Sequence, residues 1–127
     1  VEPQLPNGLV FIYDYPACQA ALAQLHLNVQ GQSVSRRFEV FFNSMELANG
    51  YMELTDAAQQ RQRFEKEVEL RSAQNKPAVV IDEKLMAALD SGLPPCAGVA
   101  LGVDRLLMQL LGTDAIDQVM AFSWQRC

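Results

Sequence analysis

The chain has 127 residues, with 10 Lys+Arg against 15 Asp+Glu for a net charge of −5; 50 % of it is hydrophobic and 20 % charged. That length fits one domain or part of one, and the apolar share excludes a disordered tail. No apolar run is long enough to cross a bilayer, no leader-like basic and apolar segment opens the chain, and the acidic balance argues against a surface-wide nucleic-acid footprint.

Cys18, Cys96 and Cys127 are far apart and form no CxxC, and the single His26 cannot complete a zinc site with them. The chain therefore reads as a reduced, cytoplasmic protein with free thiols. It begins at Val1 rather than Met, close to an apolar run, which reads as a fragment or a processed piece.

Leu9-Val-Phe-Ile-Tyr13, between Gly8 and Pro16, is a continuous apolar run and predicts a buried strand. Ala17 to Leu25 is rich in Ala and Leu and predicts a short helix, with His26 an ordinary surface or helix-end residue; polar Asn28 to Ser35 predicts a loop. Arg37 to Phe42 and Met45 to Asn49 flank Asn43-Ser44, the pattern of a two-residue hairpin. Its simple register pairs Phe42 with Met45, Phe41 with Glu46, Val40 with Leu47 and Glu39 with Ala48. One face then carries Phe38, Val40, Phe42, Met45 and Leu47 as core. The other carries Glu39, Phe41, Glu46 and Ala48, and two carboxylates beside a ring suit the floor of a pocket. By strict alternation Glu53 faces away from Glu46, and the Asn49-Gly50 pair is the expected break that lets them converge.

Asp56-Ala-Ala-Gln59 reads as a capping box opening a helix to about Gln74, with Phe64 and Val68 on its apolar face and Arg61 four residues before Glu65. Ile81 to Leu89 predicts another helix, stopped by Gly92 and Pro94-Pro95. Cys96 to Leu101 is a strand of small residues. After Gly102, Val103, Leu106, Leu107, Leu110 and Leu111 follow at i, i+3, i+4, i+7 and i+8, a core-facing helical stripe closed by Gly112. A short helix over Ala115 to Val119 and a strand over Met120 to Phe122 complete the reading.

Two stretches carry chemistry. In Gly98-Val-Ala-Leu-Gly102-Val-Asp-Arg105 the glycines clear a strand end for a flat ligand, and Arg105 adds a cation at a helix start, an arrangement suited to a polyphosphate. The plain alternative is a tight strand-to-helix joint with a surface arginine. In Glu46-Leu-Ala-Asn-Gly-Tyr-Met-Glu53 two carboxylates and an amide could hold Mg²⁺ or a substrate ammonium. The alternative there is a hairpin with solvated acids.

Together, and in order with Phe38-Glu-Val-Phe-Phe42, Gln60-Arg-Gln-Arg-Phe64 and Leu93 to Met108, these stretches resemble the C-terminal half of a class II lysyl-tRNA synthetase catalytic domain. The last stretch resembles class II motif 3. The spellings ELANG and GVALGVDR are closer to the branch of that family that modifies elongation factor P, the elongation factor P–(R)-β-lysine ligases, which lack an anticodon-binding domain. The resemblance covers nearly the whole chain. It implies an α/β (α+β) fold, an antiparallel sheet with flanking helices, with residues 1–127 forming the C-terminal portion of the catalytic domain.

The resemblance also implies roles. Arg105 looks like the motif 3 arginine on the ATP γ-phosphate, Gly102 lies where the adenylate packs, and Glu46 resembles the acid that serves Mg²⁺ and ATP. ATP contacts would thus come from Glu46, Leu47, Gly102 and Arg105, and the catalytic pair would be Arg105 and Glu46. Substrate contacts would come from Asn49, Glu53 and Ala100, with Glu53 on an amino group of lysine or β-lysine. Ala100 stands where ordinary lysyl-tRNA synthetases carry Gly. Motifs 1 and 2, which supply much of the dimer interface and the arginine on the α-phosphate, do not occur in these residues. The implied parent is a homodimeric, ATP- and Mg²⁺-dependent ligase acting on elongation factor P, without membrane attachment. The alternatives are a lysyl-tRNA synthetase charging tRNA and a non-catalytic binding or dimerisation module.

Overall fold

The computed structural model describes residues 4–126, so Val1 and Cys127 lie outside the described residues. It is a five-stranded antiparallel sheet with helices: β1 (Leu9–Pro16), β2 (Leu25–Leu27), β3 (Ser33–Phe42), β4 (Met45–Met52), α1 (Ala57–Ala73), α2 (Glu83–Asp90), β5 (Ala97–Leu101) and α3 (Val103–Leu111). The strand order is β1-β3-β4-β5. Ser35 pairs with Tyr15 of β1 and with Leu25 of β2, so β2 lies on the β4 side of β3. No helix of the described residues is long and apolar enough to cross a membrane.

The hairpin of β3 and β4 forms as expected. Asn43 and Ser44 take φ of 47° and 64°, both left-handed, which matches the twist of a two-residue hairpin. The Asn43 side chain also accepts the Gly8 N–H at 2.9 Å, tying the turn to the start of β1. The expected N-cap forms, Asp56 Oδ1 accepting the Gln59 N–H at 2.9 Å, but the return half of the box does not: Gln59 Nε2 donates to Asp56 Oδ2 at 3.0 Å rather than its side chain meeting the Asp56 N–H. Those hydrogen bonds hold the Asp56 carboxyl below its ordinary range. Gly112 closes α3 in the left-handed conformation, φ 65°.

Several expectations are corrected. Ala17 to Leu25 is not a helix but one 3-10 turn, Ala17–Gln19, followed by the short strand β2. Ala21 takes φ 48°, which no right-handed helix permits, and Arg63 of α1 collects the freed carbonyls of Ala21 and Ala23. His26 therefore lies on a strand, with Nε2 3.4 Å from Asp14. The expected loop Asn28 to Ser35 shrinks to a turn organised by Asn28, whose Oδ1 accepts the N–H groups of Gln30 and Gln32, and β3 begins at Ser33. No strand forms over Met120 to Phe122; Arg126 Nη2 takes the Met120 carbonyl at 2.8 Å instead of a neighbouring strand. The helix expected near Ala115 is a 3-10 turn, Ile116–Gln118.

The second helix starts later than expected, at Glu83, because Asp82 caps it through the N–H groups of Lys84 and Leu85. Arg61 pairs not with Glu65 but with Glu83, through two bonds of 3.0 and 2.6 Å that join α1 to α2. Those hydrogen bonds, and secondarily the Arg61 charge, hold the Glu83 carboxyl below the usual range.

The core differs most from expectation. Its buried members include Val34, Phe41, Leu47, Ala48, Leu54, Met86 and Met108. β1 is an edge strand, not a buried one: Leu9, Phe11 and Tyr13 are exposed. On α3 it is Met108 that is buried, whereas Val103, Leu110 and Leu111 of the stripe are 67, 74 and 64 % exposed. The periodicity marks a helix correctly, but the described residues cover only part of its stripe: Leu106 and Leu107 are half-buried where α3 packs against β4 and the turn Ile116–Gln118.

Candidate active site

Position on the sheet decides what can meet here, because cross-strand partners share a face and neighbours along a strand alternate. Phe42 pairs with Met45 and Phe41 with Glu46, as expected; then the ladder shifts, so that Val40 pairs with Ala48 and Glu39 with Asn49. Leu47 is the extra residue of a β-bulge. This corrects the register expected beyond it. Ala48 moves to the Val40 face, while Asn49 joins Glu39, Phe41 and Glu46. The bulge, not the Asn49-Gly50 pair, brings the later residues into phase with Glu46, since Asn49 and Gly50 remain in the regular ladder opposite Glu39 and Phe38.

Leu47 is buried and Glu46 partly solvated as expected, but the β3 residues of the two faces exchange burial. Phe41 and Glu39 are 1 and 8 % exposed, while Phe38, Val40 and Phe42 are only half-buried. Glu39 and Phe41 thus lie beneath the site rather than forming an open floor. A carboxylate this buried needs partners, and Glu39 has three. Tyr15 Oη donates to Oε2 at 2.5 Å, Asn49 Nδ2 donates to Oε1 at 3.0 Å, and Arg37 Nη2 also reaches Oε1. Arg37 in turn donates from Nε to Asn49 Oδ1 at 3.4 Å and from Nη1 to the Gln19 carbonyl at 3.1 Å, and it lies 4.7 Å over the Tyr15 ring. Burial, then the bond to Glu39 and its charge, push the Tyr15 phenol well above its ordinary value.

Toward β5, Asn49 pairs with Ala100 and Tyr51 with Gly98, so small residues face the Asn49 side. Glu53 closes this end. Its N–H donates to the Cys96 carbonyl at 3.0 Å, and its backbone bridges Ala23. A methyl group on Gly98 would come within 2.8 Å of Glu53 Oε1, so the carboxylate lies directly over that glycine. Glu53 forms none of the ion pairs among the described residues.

At the other end, the Gly102 N–H donates to the Leu47 carbonyl at 2.8 Å, seating the start of α3 against the bulge. Gly102 is the N-cap, with φ −75° and ψ 91°, and Arg105 follows in the first turn. Arg105 Nη1 donates to the Glu46 carbonyl at 2.9 Å and lies 3.6 Å from its carboxylate. Both side chains are solvated, so the ion pair itself contributes little. The carbonyl bond is what aims the guanidinium, and the two charges border an open depression lined also by Asn43, Ser44 and Met45. Leu47 is buried, so its side chain serves the core rather than this depression.

The structure thus gathers Glu46, Asn49, Glu53, Gly98 and Ala100 on one sheet face, with Gly102 and Arg105 at its end. Comparison with known proteins decides the family: the model for class II tRNA synthetases (D, K and N) matches residues 4–126. The chain belongs to the class II tRNA synthetases. Within that family it is 50 % identical over 127 residues to the elongation factor P–(R)-β-lysine ligase of Pectobacterium carotovorum subsp. carotovorum (strain PC1), covering 99 % of this chain and 38 % of the relative. It is 54 % identical over 124 residues to the ligase of the same name from Baumannia cicadellinicola subsp. Homalodisca coagulata, covering 97 % and 37 %. The corresponding ligase of Hamiltonella defensa subsp. Acyrthosiphon pisum (strain 5AT) is 51 % identical over 127 residues, covering 99 % and 38 %. The chain therefore spans well under half the length of these curated relatives.

Tyr15 and Arg37 escaped the sequence reading of this class II synthetase chain. Tyr15 lies just past an apolar run, and Arg37 lies mid-way along β3, at the first residue of the strand expected from sequence. Neither has a local pattern that marks it, because both act through Glu39, reached only by strand pairing.

Proposed function

We propose that the chain is part of an ATP-dependent ligase that adenylates a lysine-like amino acid and passes it to a lysine of elongation factor P. The convergence of Asn49, Glu53, Gly98 and Ala100 on one face, beside an Arg105 aimed by the Glu46 carbonyl, carries this reading. The identity to relatives bearing that name supports it. Glu53 offers an unpaired carboxylate to a substrate ammonium, Asn49 adds an amide, and the methyl of Ala100 limits how closely the ligand approaches β5. Arg105 takes the γ-phosphate, and Gly102 and the backbone around Leu47 lie against the adenine nucleotide.

In the first half-reaction the amino-acid carboxylate attacks the α-phosphorus of ATP and pyrophosphate leaves. In the second, the acceptor amine attacks the acyl carbon and AMP leaves. Positioning and charge neutralisation carry such a reaction, with no protein nucleophile. Among the described residues no group of three or more His, Cys, Asp or Glu side chains could cage a metal. The solvated Glu46 carboxylate fits a Mg²⁺ held chiefly by phosphate oxygens, whereas Glu39 is buried with both oxygens engaged by Tyr15, Arg37 and Asn49. When bound, that ion neutralises phosphate charge. A homodimeric parent and a cytoplasmic setting belong to the same reading, and the exposed free thiol of Cys18 suits a reducing compartment.

The test is pyrophosphate exchange by the full-length parent with lysine and (R)-β-lysine, followed by transfer of labelled amino acid to elongation factor P or tRNA. Exchange with label on elongation factor P is expected. Label on tRNA moves the reading to a lysyl-tRNA synthetase, and no exchange with either amino acid ends it. The 127-residue chain alone should show no exchange. It lacks the α-phosphate arginine, and each missing charge-stabilising group costs about 10²–10³ in rate.

A further inference from the structure

We infer that Arg37 is a positioning residue that fixes which end of the Asn49 side-chain amide faces the amino-acid substrate. The inference rests on the reading of Asn49 as a substrate contact. A side-chain amide has a donor end and an acceptor end, and rotating it by half a turn exchanges them. Two partners of opposite kind hold this one. Arg37 Nε, which can only donate, lies 3.4 Å from Asn49 Oδ1, and the Glu39 carboxylate, an acceptor when ionised, receives Asn49 Nδ2 at 3.0 Å. Each contact opposes the flipped amide, which would set Oδ1 against the Glu39 carboxylate and Nδ2 against the Arg37 N–H, and together they admit a single orientation. One lone pair of Oδ1 and one hydrogen of Nδ2 remain for a ligand, the lone pair suited to an ammonium.

Arg37 is itself held on every side of its planar head. Nη1 donates to the Gln19 carbonyl at 3.1 Å, Nη2 reaches Glu39, and the Tyr15 ring lies beneath it at 4.7 Å. Its side chain is only 19 % exposed. Lysine could keep the charge beside Glu39, but one ammonium cannot serve Gln19, Glu39 and Asn49 in the plane of a guanidinium. Arg37→Lys therefore separates the orienting contact from the charge, whereas Arg37→Met would also strand a buried carboxylate and endanger folding.

In the full-length parent, pyrophosphate exchange should show Arg37→Lys raising the KM for the amino acid by about tenfold or more, the order a misplaced contact can cost. The KM for ATP should change by less than about twofold. In an Asn49→Ala background the same substitution should add almost nothing, because its effect passes through the amide. Tyr15→Phe frees one Glu39 oxygen but keeps the ring under Arg37, and it should leave the amino-acid KM within about threefold of wild type. An unchanged amino-acid KM in Arg37→Lys overturns the inference. So does an undiminished effect in the Asn49→Ala background, and so does a Tyr15→Phe effect as large as that of Arg37→Lys, which would mean general loosening around Glu39. Wild-type protein that exchanges with neither lysine overturns the underlying functional reading and this inference with it. Failure confined to the variants overturns this inference alone.

Discussion

The Glu53 carboxylate lies over Gly98 so closely that a methyl group there would stand 2.8 Å from its Oε1. A residue just past the end of β4 and a residue of β5 thereby set one wall of the site, a carboxylate resting on bare backbone. Gly50 is tight for another reason: a methyl there would meet the Phe38 ring at 2.8 Å and the Gly98 carbonyl at 2.9 Å.

These contacts predict opposite phenotypes. In the full-length parent, Gly98→Ala displaces only the far end of a flexible glutamate, so it should raise the KM for the amino acid while leaving the melting temperature nearly unchanged. Gly50→Ala pushes on a ring and a carbonyl and should cost about 1–3 kcal/mol of stability, as overpacking does. Thermal melts and exchange kinetics on both variants check this. A Gly98→Ala enzyme with wild-type amino-acid KM would show that the Glu53 position does not matter to the substrate.

Glu53→Gln should lose far more activity than Glu65→Gln in the parent. Glu65 lies exposed on α1, away from the site face, whereas Glu53 lies over Gly98. Removing one partner of a desolvated charge pair costs about 2–5 kcal/mol, so kcat/KM for the amino acid should fall by orders of magnitude in the first variant only. Matching kinetics for the two would refute the assignment of Glu53.

Ala100→Gly should shift preference toward α-lysine. Ala100 pairs with Asn49, so its methyl faces the same side as the amide. Room of about one methylene is worth about 1–3 kcal/mol, or roughly 10–200-fold in discrimination. The quantity to compare is the ratio of kcat/KM for α-lysine and (R)-β-lysine, because added backbone freedom can lower activity toward both. A ratio that does not move would reduce Ala100 to strand packing.

Tyr15 makes an alkaline prediction. Its folded value is raised by burial and by Glu39, so its contribution to stability is full below the unfolded value of about 10 and is lost as pH rises through the folded value. The stability advantage of wild type over Tyr15→Phe should therefore shrink from about pH 10 upward. Melting temperatures of both proteins from neutral to strongly alkaline pH test the sign. An advantage that grows with pH would mean the phenol is not held in its neutral form.

Local chemistry was legible in the amino-acid sequence alone. The Asn43-Ser44 turn, the Asp56 cap, the helix over Val103–Leu111 with its glycine stop, and the strand of small residues before it all depend on neighbours a few residues apart. The stretches containing Glu46, Asn49, Glu53 and Arg105 were visible as well, because each is a short motif. What these motifs do to one another was decided by pairing across the sheet. A single extra residue at Leu47 moved Ala48 off the Glu39 face and put Asn49 on it, and alternation cannot reveal where a ladder slips. The partners of Glu39 come from 24, 2 and 10 residues away, so no window of sequence contains the set. Burial was the least legible. The leucine stripe of α3 and the apolar run of β1 carry the composition of buried elements, yet Val103, Leu110 and Leu111 of the one and Leu9, Phe11 and Tyr13 of the other are exposed, because hydrophobicity records a need for cover and only tertiary structure shows which surfaces supply it.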